Sequence, residues 1–198
     1  TDIDEPPTAI ALSSAEIAEN SAGSVGTLSI LDPDATSSVT VSDPRFTVGE
    51  DLVLLAPLNH ETTPSIALSI SADGFTQAFT IQIADVPEPP SAITLTPLGL
   101  PENADNLLIA ELEASDEDAN DDVTLSTDDP RFSLSGGFLR LRAGHAVDFE
   151  TTPSLSVSIT GTDLGGLELT ETFTLAVTNL NEAPTAIALA ATTVPEND

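Results

Sequence analysis

The chain repeats itself, and that limits its possible folds more than any other feature. Pro7-Thr8-Ala9-Ile10-Ala11-Leu12 returns 83 residues later as Pro90-Ser91-Ala92-Ile93-Thr94-Leu95, and 94 residues after that as Pro184-Thr185-Ala186-Ile187-Ala188-Leu189. Glu19-Asn20 recurs at the same offsets as Glu102-Asn103 and Glu196-Asn197. Between these anchors, Asp32-Pro33-Asp34 matches Asp116-Glu117-Asp118, and Asp43-Pro44-Arg45-Phe46 matches Asp129-Pro130-Arg131-Phe132. Glu61-Thr62-Thr63-Pro64-Ser65 likewise matches Glu150-Thr151-Thr152-Pro153-Ser154. Three starts but two complete repeats follow, each near the small end for a domain yet long enough to bury a core. The expected domains are 1–87 and 88–181, with 182–198 the beginning of a third, so the chain is expected to be a piece of a longer one. The connection Asp85-Val86-Pro87-Glu88-Pro89-Pro90 is short and stiffened by proline.

Within each repeat the apolar period is two. Phe79, Ile81 and Ile83 alternate with Thr80, Gln82 and Ala84, and Phe173, Leu175 and Val177 do the same. Ile66, Leu68, Ile70 and Leu155, Val157, Ile159 alternate with Ser or Ala. Such alternation marks strands with one face in a core and one in water. Shorter strands are read near 8–13, 25–31, 38–42, 45–48 and 51–56, with counterparts near 91–96, 107–114, 122–126, 131–134 and 138–142. No helical period is present. The pattern predicts an all-β chain of two tandem seven-stranded Greek-key sandwiches.

Charge narrows the function. The 198 residues carry 33 Asp and Glu against 4 cations, all Arg, for a formal charge of −29. A nucleic-acid partner is excluded, because phosphates are bound by Lys and Arg. Anionic membranes repel the chain for the same reason. Without Cys there is no thiolate zinc site, disulfide framework or redox dithiol. An apolar fraction of 40% is too high for a typical acidic disordered segment, so the chain folds.

Many carboxylates are scattered over the chain, and residues such as Asp105 read as solvated. Others recur at strand ends and turns: Glu19 and Glu102, Asp32 with Asp34 and Asp116 with Asp118, Glu61 and Glu150, Asp73 and Asp163. Acidic or amide residues also mark the linkers at 2–5, 85–88 and 179–182. Like charges held together in a folded sheet are costly without a counter-ion, so their recurrence at loop positions points to a bound cation. Hard oxygen donors without His or Cys among them favour Ca2+ over zinc or copper, and their number favours it over magnesium.

The same segments carry a resemblance. Pro101-Glu102-Asn103, Asp116-x-Asp118, Val147-Asp148-Phe149-Glu150, Thr162-Asp163 and Asn179-Leu180-Asn181-Glu182-Ala183-Pro184 resemble the signatures of cadherin-like repeats, in the form found in large secreted bacterial adhesins. The resemblance covers nearly the whole chain. It implies an immunoglobulin-like seven-strand sandwich that binds calcium where successive domains meet. Carried over, it gives a junction of Glu19, Glu61, Asp85, Glu88, Asp116, Asp118 and Asp163. Seven carboxylates match the charge of about three divalent ions. It further implies an N-terminal set of Asp2, Asp4, Asp32, Asp34 and Asp73, and a C-terminal set of Glu102, Asp148, Glu150, Asn179, Asn181 and Glu182. Asn59-His60-Glu61 departs from the pattern by losing one carboxylate, Pro87 stands for the linker Asn, and Asn179 for the linker Asp.

The implied function is a non-enzymatic, calcium-binding stretch of an extracellular bacterial adhesin, rigidified for cell adhesion or biofilm. The partners are neighbouring repeats and another cell surface or an exopolysaccharide, and the fragment itself is expected to be monomeric. The alternative is a calcium-dependent carbohydrate-binding module, which the lack of Trp and Tyr stacking platforms disfavours. Asp116-x-Asp118-x-Asn120 begins like an EF-hand loop, but Asp121 and Thr127 stand where Gly and Glu are needed. A Walker loop is impossible without Lys. His60 and His145 read as solvated loop residues. Arg45 and Arg131 read as structural partners of nearby carboxylates, and Arg140 with Arg142 as surface partners of Glu or a contact for an acidic glycan.

Overall fold

The computed structural model describes residues 5–33, 38–118, 121–184 and 186–187. The chain divides into two compact units: the described parts of Thr1–Glu88 with Glu117–Asp121, and those of Pro89–Asp116 with Asp122–Asp198. Among the described residues every regular element is a strand, and no helix is long and apolar enough to cross a membrane.

The first unit holds β1 (Ala9–Leu12), β2 (Glu16–Ala18), β3 (Gly23–Leu31), β4 (Val39–Val41), β5 (Phe46–Val48), β6 (Asp51–Leu54), β7 (Ser65–Ala72) and β8 (Phe75–Ala84). One sheet runs β1-β3-β6-β5 and the other β2-β8-β7-β4. Alternation works as the sequence requires: Ile66, Leu68 and Ile70 of β7 and Ile81 and Ile83 of β8 are buried, while Ser65, Ala67 and Gln82 are exposed. Phe46, Leu52, Leu54 and Ile10 close the core from the other sheet. Burying each such side chain contributes roughly 1.5–3 kcal/mol.

The second unit repeats this plan with β9 (Ala92–Pro97), β10 (Leu108–Ser115), β11 (Thr124–Ser126), β12 (Phe132–Ser135), β13 (Phe138–Leu141), β14 (Ser154–Thr162) and β15 (Glu168–Ala176). Its sheets are β12-β13-β10-β9 and β11-β14-β15. Ile93, Phe132, Leu155, Val157, Ile159, Leu175 and Val177 occupy the core positions matching those of the first unit.

The strand that alternation does not announce is β2. Its three residues hold one large apolar side chain, Ile17, and its order comes from parallel pairing with β8, Ile17 opposite Ile83. The second unit has only an isolated parallel bridge there, Pro101 with Thr178, because proline has no N–H for a ladder. Glu19 and Glu102 directly follow these parallel pairings.

Candidate metal centre

One glutamate anchors the site of each unit. Glu19 is 3% exposed, and its carboxylate accepts from the His60 N–H at 2.7 Å and the Val86 N–H at 2.8 Å. Glu102 is 1% exposed and does the same with Phe149 N–H at 2.9 Å and Leu180 N–H at 2.6 Å. Each therefore ties the turn before the long hairpin to the segment leaving the last strand. Burial raises the Glu19 carboxyl, but these two backbone donors and the nearby His60 outweigh it and hold it below its ordinary value.

Asn20 and Asn103, which follow these glutamates, sit at φ 55 and φ 60, a left-handed conformation that Asn tolerates better than most residues. Asn20 Nδ2 donates to Glu88 Oε1, and Asn103 Nδ2 donates to Glu182 Oε1 at 2.6 Å. The Glu-Asn repeat is thus one device: the acid binds backbone, and the amide holds a linker carboxylate.

In the first unit Glu19, Glu61 and Glu88 bring one carboxylate oxygen each within 4.8 Å of one another. Glu88 N–H donates to Asp118 at 2.9 Å, and Asp85 is exposed. Burial, and the charges of Glu19 and Asp118, push the Glu88 carboxyl above its ordinary value. The Oε2 atoms of Glu61 and Glu88 are enclosed without a hydrogen-bond partner. Enclosed, unpaired carboxylate oxygens are costly, and a hard cation is the partner that satisfies several at once. The donor set fits calcium.

In the second unit Glu102, Asp148 and Glu150 come within 4.8 Å of one another; Glu102 and Glu150 match Glu19 and Glu61, while Asp148 stands at the place of Asn59. Asp148 accepts from Glu150 N–H at 2.9 Å, and Glu150 from Asn179 Nδ2 at 3.0 Å. Asn181 and Glu182 are exposed. Elsewhere in this unit, oxygens of Asp116 and Asp163 lie within 4.8 Å. Asp163 is 7% exposed; its Oδ1 accepts from Leu167 N–H at 2.8 Å, and its Oδ2 is enclosed without a hydrogen-bond partner.

Asp73 matches Asp163 in sequence but is set differently. It forms the tight turn between β7 and β8 with Gly74, at φ 42 and φ 88, and accepts from Ser38 N–H at 3.2 Å and Ser38 Oγ at 3.1 Å. Asp32 is half-buried beyond β3. Asp2, Asp4 and Asp34 lie outside the described residues.

Two expectations are corrected. His60 is not a solvated loop residue: its Nδ1 donates to the Ile83 carbonyl at 2.6 Å. That bond leads the causes raising its pKa, joined by Asp85, Glu61 and Glu19 and opposed by burial. Asp105 is exposed, as expected of a scattered acid, and accepts from Gly144 N–H at 2.7 Å. Among the described residues Arg140 makes no ion pair with Glu; its Nη1 donates to the Asn106 carbonyl at 2.6 Å. Arg45 and Arg131 clamp Asp43 and Asp129 in the same two-pronged way, with Nη2 to carboxylate distances of 2.7 and 2.6 Å.

No protein-family model matches the chain, and no curated protein does. Solved structures do. Human Protocadherin-24 EC1-2 matches with a TM-score of 0.65 at 16% identity, over 85% of this chain and 96% of that one. PcdhgB3 EC1-4 matches with a TM-score of 0.61 at 20% identity, over 91% of this chain and 51% of that one. Extracellular cadherin domains 3-6 of Protocadherin Gamma B2 match with a TM-score of 0.59 at 19% identity, over 86% and 46%. The chain spans about half the length of the two latter structures. The fold is therefore that of tandem cadherin-like β-sandwiches.

Proposed function

We propose that the chain is a calcium-binding tandem cadherin-like module of an extracellular bacterial adhesin, in which calcium at the junction of successive repeats makes a rigid rod for cell adhesion or biofilm. The observation that carries the reading is the group Glu19, Glu61 and Glu88, where one buried and two half-buried glutamates converge and two oxygens are enclosed without hydrogen-bond partners. The return of its Glu19 and Glu61 positions as Glu102 and Glu150, joined there by Asp148, supports a structural role, since a catalytic pair is needed once. At the junction, Glu19, Glu61, Asp85 and Glu88 act with Asp116, Asp118 and Asp163. Glu102, Asp148, Glu150, Asn179, Asn181 and Glu182 form the half-site for a following repeat. Asp32 and Asp73, with Asp2, Asp4 and Asp34, form the half-site for a preceding one. Calcium supplies the positive charge that these carboxylates lack, and the module performs no chemical step.

The test is thermal melting of the chain in millimolar calcium, in magnesium and in chelator. An ion that binds only the folded state adds about 2.7 kcal/mol at a hundredfold excess over Kd. Calcium should raise the Tm by several degrees and magnesium by much less, because magnesium demands six-coordinate geometry and sheds water reluctantly. Coincident curves in all three would contradict the metal reading.

A further inference from the structure

We infer that the first unit also carries a site for a transition-type divalent cation, with zinc as its representative, built from His60, Glu61 and Asp85. Each of the three brings one donor atom within 4.8 Å of the other two. They line a cleft of about 300 Å³ with Pro64 and Glu117, all assigned to this unit.

The histidine is prepared for a metal. A carbonyl only accepts, so the 2.6 Å contact with Ile83 places the hydrogen of the neutral ring on Nδ1 and leaves the lone pair on Nε2. Metal-binding histidines are oriented in this way by a backbone carbonyl or carboxylate behind the ring. Glu61 Oε2 is enclosed with no hydrogen-bond partner, so a second donor stands ready.

The donor set separates two metals. Calcium takes oxygen ligands and gains little from an imidazole, whereas zinc favours nitrogen and accepts carboxylates. Three protein donors leave the fourth tetrahedral position to water. The second unit is an internal comparison. Glu150-Thr151-Thr152-Pro153 repeats Glu61-Thr62-Thr63-Pro64, but Phe149 stands at the position of His60 and offers no donor. The inference rests on the preceding reading in treating Glu61 and Asp85 as cation ligands, and it adds competition: zinc and calcium draw on the same two carboxylates.

The test uses the whole chain stripped with chelator and titrated calorimetrically with zinc chloride alone. His60→Phe installs the residue that the second unit uses, so the fold should be retained. The wild type should bind a zinc ion that His60→Phe binds at least about tenfold more weakly. Equal affinity in the two proteins would overturn the inference. An independent readout is the imidazole nitrogen resonance of His60 in the wild type, told from that of His145 with a His145→Gln protein. It should shift on zinc addition, and a resonance unmoved at saturation would also overturn the inference. The two readings fail separately. Calcium stabilisation with zinc binding indifferent to His60 removes only this one, and His60-dependent zinc binding without calcium stabilisation removes only the other.

Discussion

Glu19 and Glu102 use both carboxylate oxygens to hold two backbone segments that are distant in sequence. Glu102→Ala should leave the N–H groups of Phe149 and Leu180 without an acceptor, each costing about 1–3 kcal/mol when buried. Urea denaturation in chelator should register this loss, whereas Glu113→Ala on an exposed strand face should stay within about 0.5 kcal/mol. Equal midpoints for the two variants would mean that the anchor is not structural. The arginine clamps give a pH dependence. Hydrogen bonds from Arg45 and Arg131 hold the Asp43 and Asp129 carboxyls below their ordinary value, against an opposing push from burial. Folded pKa values lie below the unfolded ones, so the stabilisation is present above about pH 4 and is lost as pH falls through the lowered folded values. Arg45 is 46% exposed and Arg131 39%, so solvent limits each contribution to less than about 1 kcal/mol. Melting scans between about pH 5 and pH 2 should be flatter for Asp43→Asn than for wild type. A parallel pair of curves would show that the clamp adds nothing.

The strands depend on close approaches as well as on alternation. β3 shifts register against β6 between Ser24 and Gly26, and β10 shifts against β13 between Leu108 and Ala110. A Cβ on Gly26 would lie 2.6 Å from the Ser14 carbonyl oxygen and 2.7 Å from Ser14 N, both backbone atoms that cannot turn aside. Gly26→Ala should cost about 1–3 kcal/mol. Gly49 faces open space, and Gly49→Ala should be near neutral. Equal denaturation midpoints for the two would contradict the packing described. The long hairpins were legible because period-two runs such as 66–70 and 79–83 have one reading, and their core faces follow from it. Glu19, Glu61, Glu102 and Glu150 were legible because they recur. β2 was not, since Glu16-Ile17-Ala18 has no pattern of its own and is ordered by a parallel partner 66 residues away in sequence. Nor was the setting of His60, which depends on a carbonyl at Ile83 that no local motif announces. Asn20 and Asn103 were visible as repeats, but their role required the backbone conformation that aims the amide at Glu88 and Glu182.

For the whole molecule, a formal charge of −29 is a self-repulsion that the few arginines do little to offset. The proposed function makes the carboxylates near Asp85–Pro90 the place where that repulsion matters most. Glu61→Ala or Asp116→Ala should weaken calcium binding, each removing a ligand that the other unit does not replace, while Glu113→Ala should leave it unchanged. Calorimetric titrations that coincide for all three would refute the ligand assignment. The same charge opposes self-association, so sedimentation in calcium should report a monomer; a tight dimer would point to a homophilic interface within these repeats. The most direct test of the central claim is small-angle scattering of the whole chain with and without calcium. Without the ion, repelling carboxylates should allow the two units many mutual orientations; with it, ligands shared across the junction should narrow the distribution of distances between them at almost unchanged secondary structure. A distribution equally broad in calcium and in chelator would contradict the rigid junction and place any bound ions within single units.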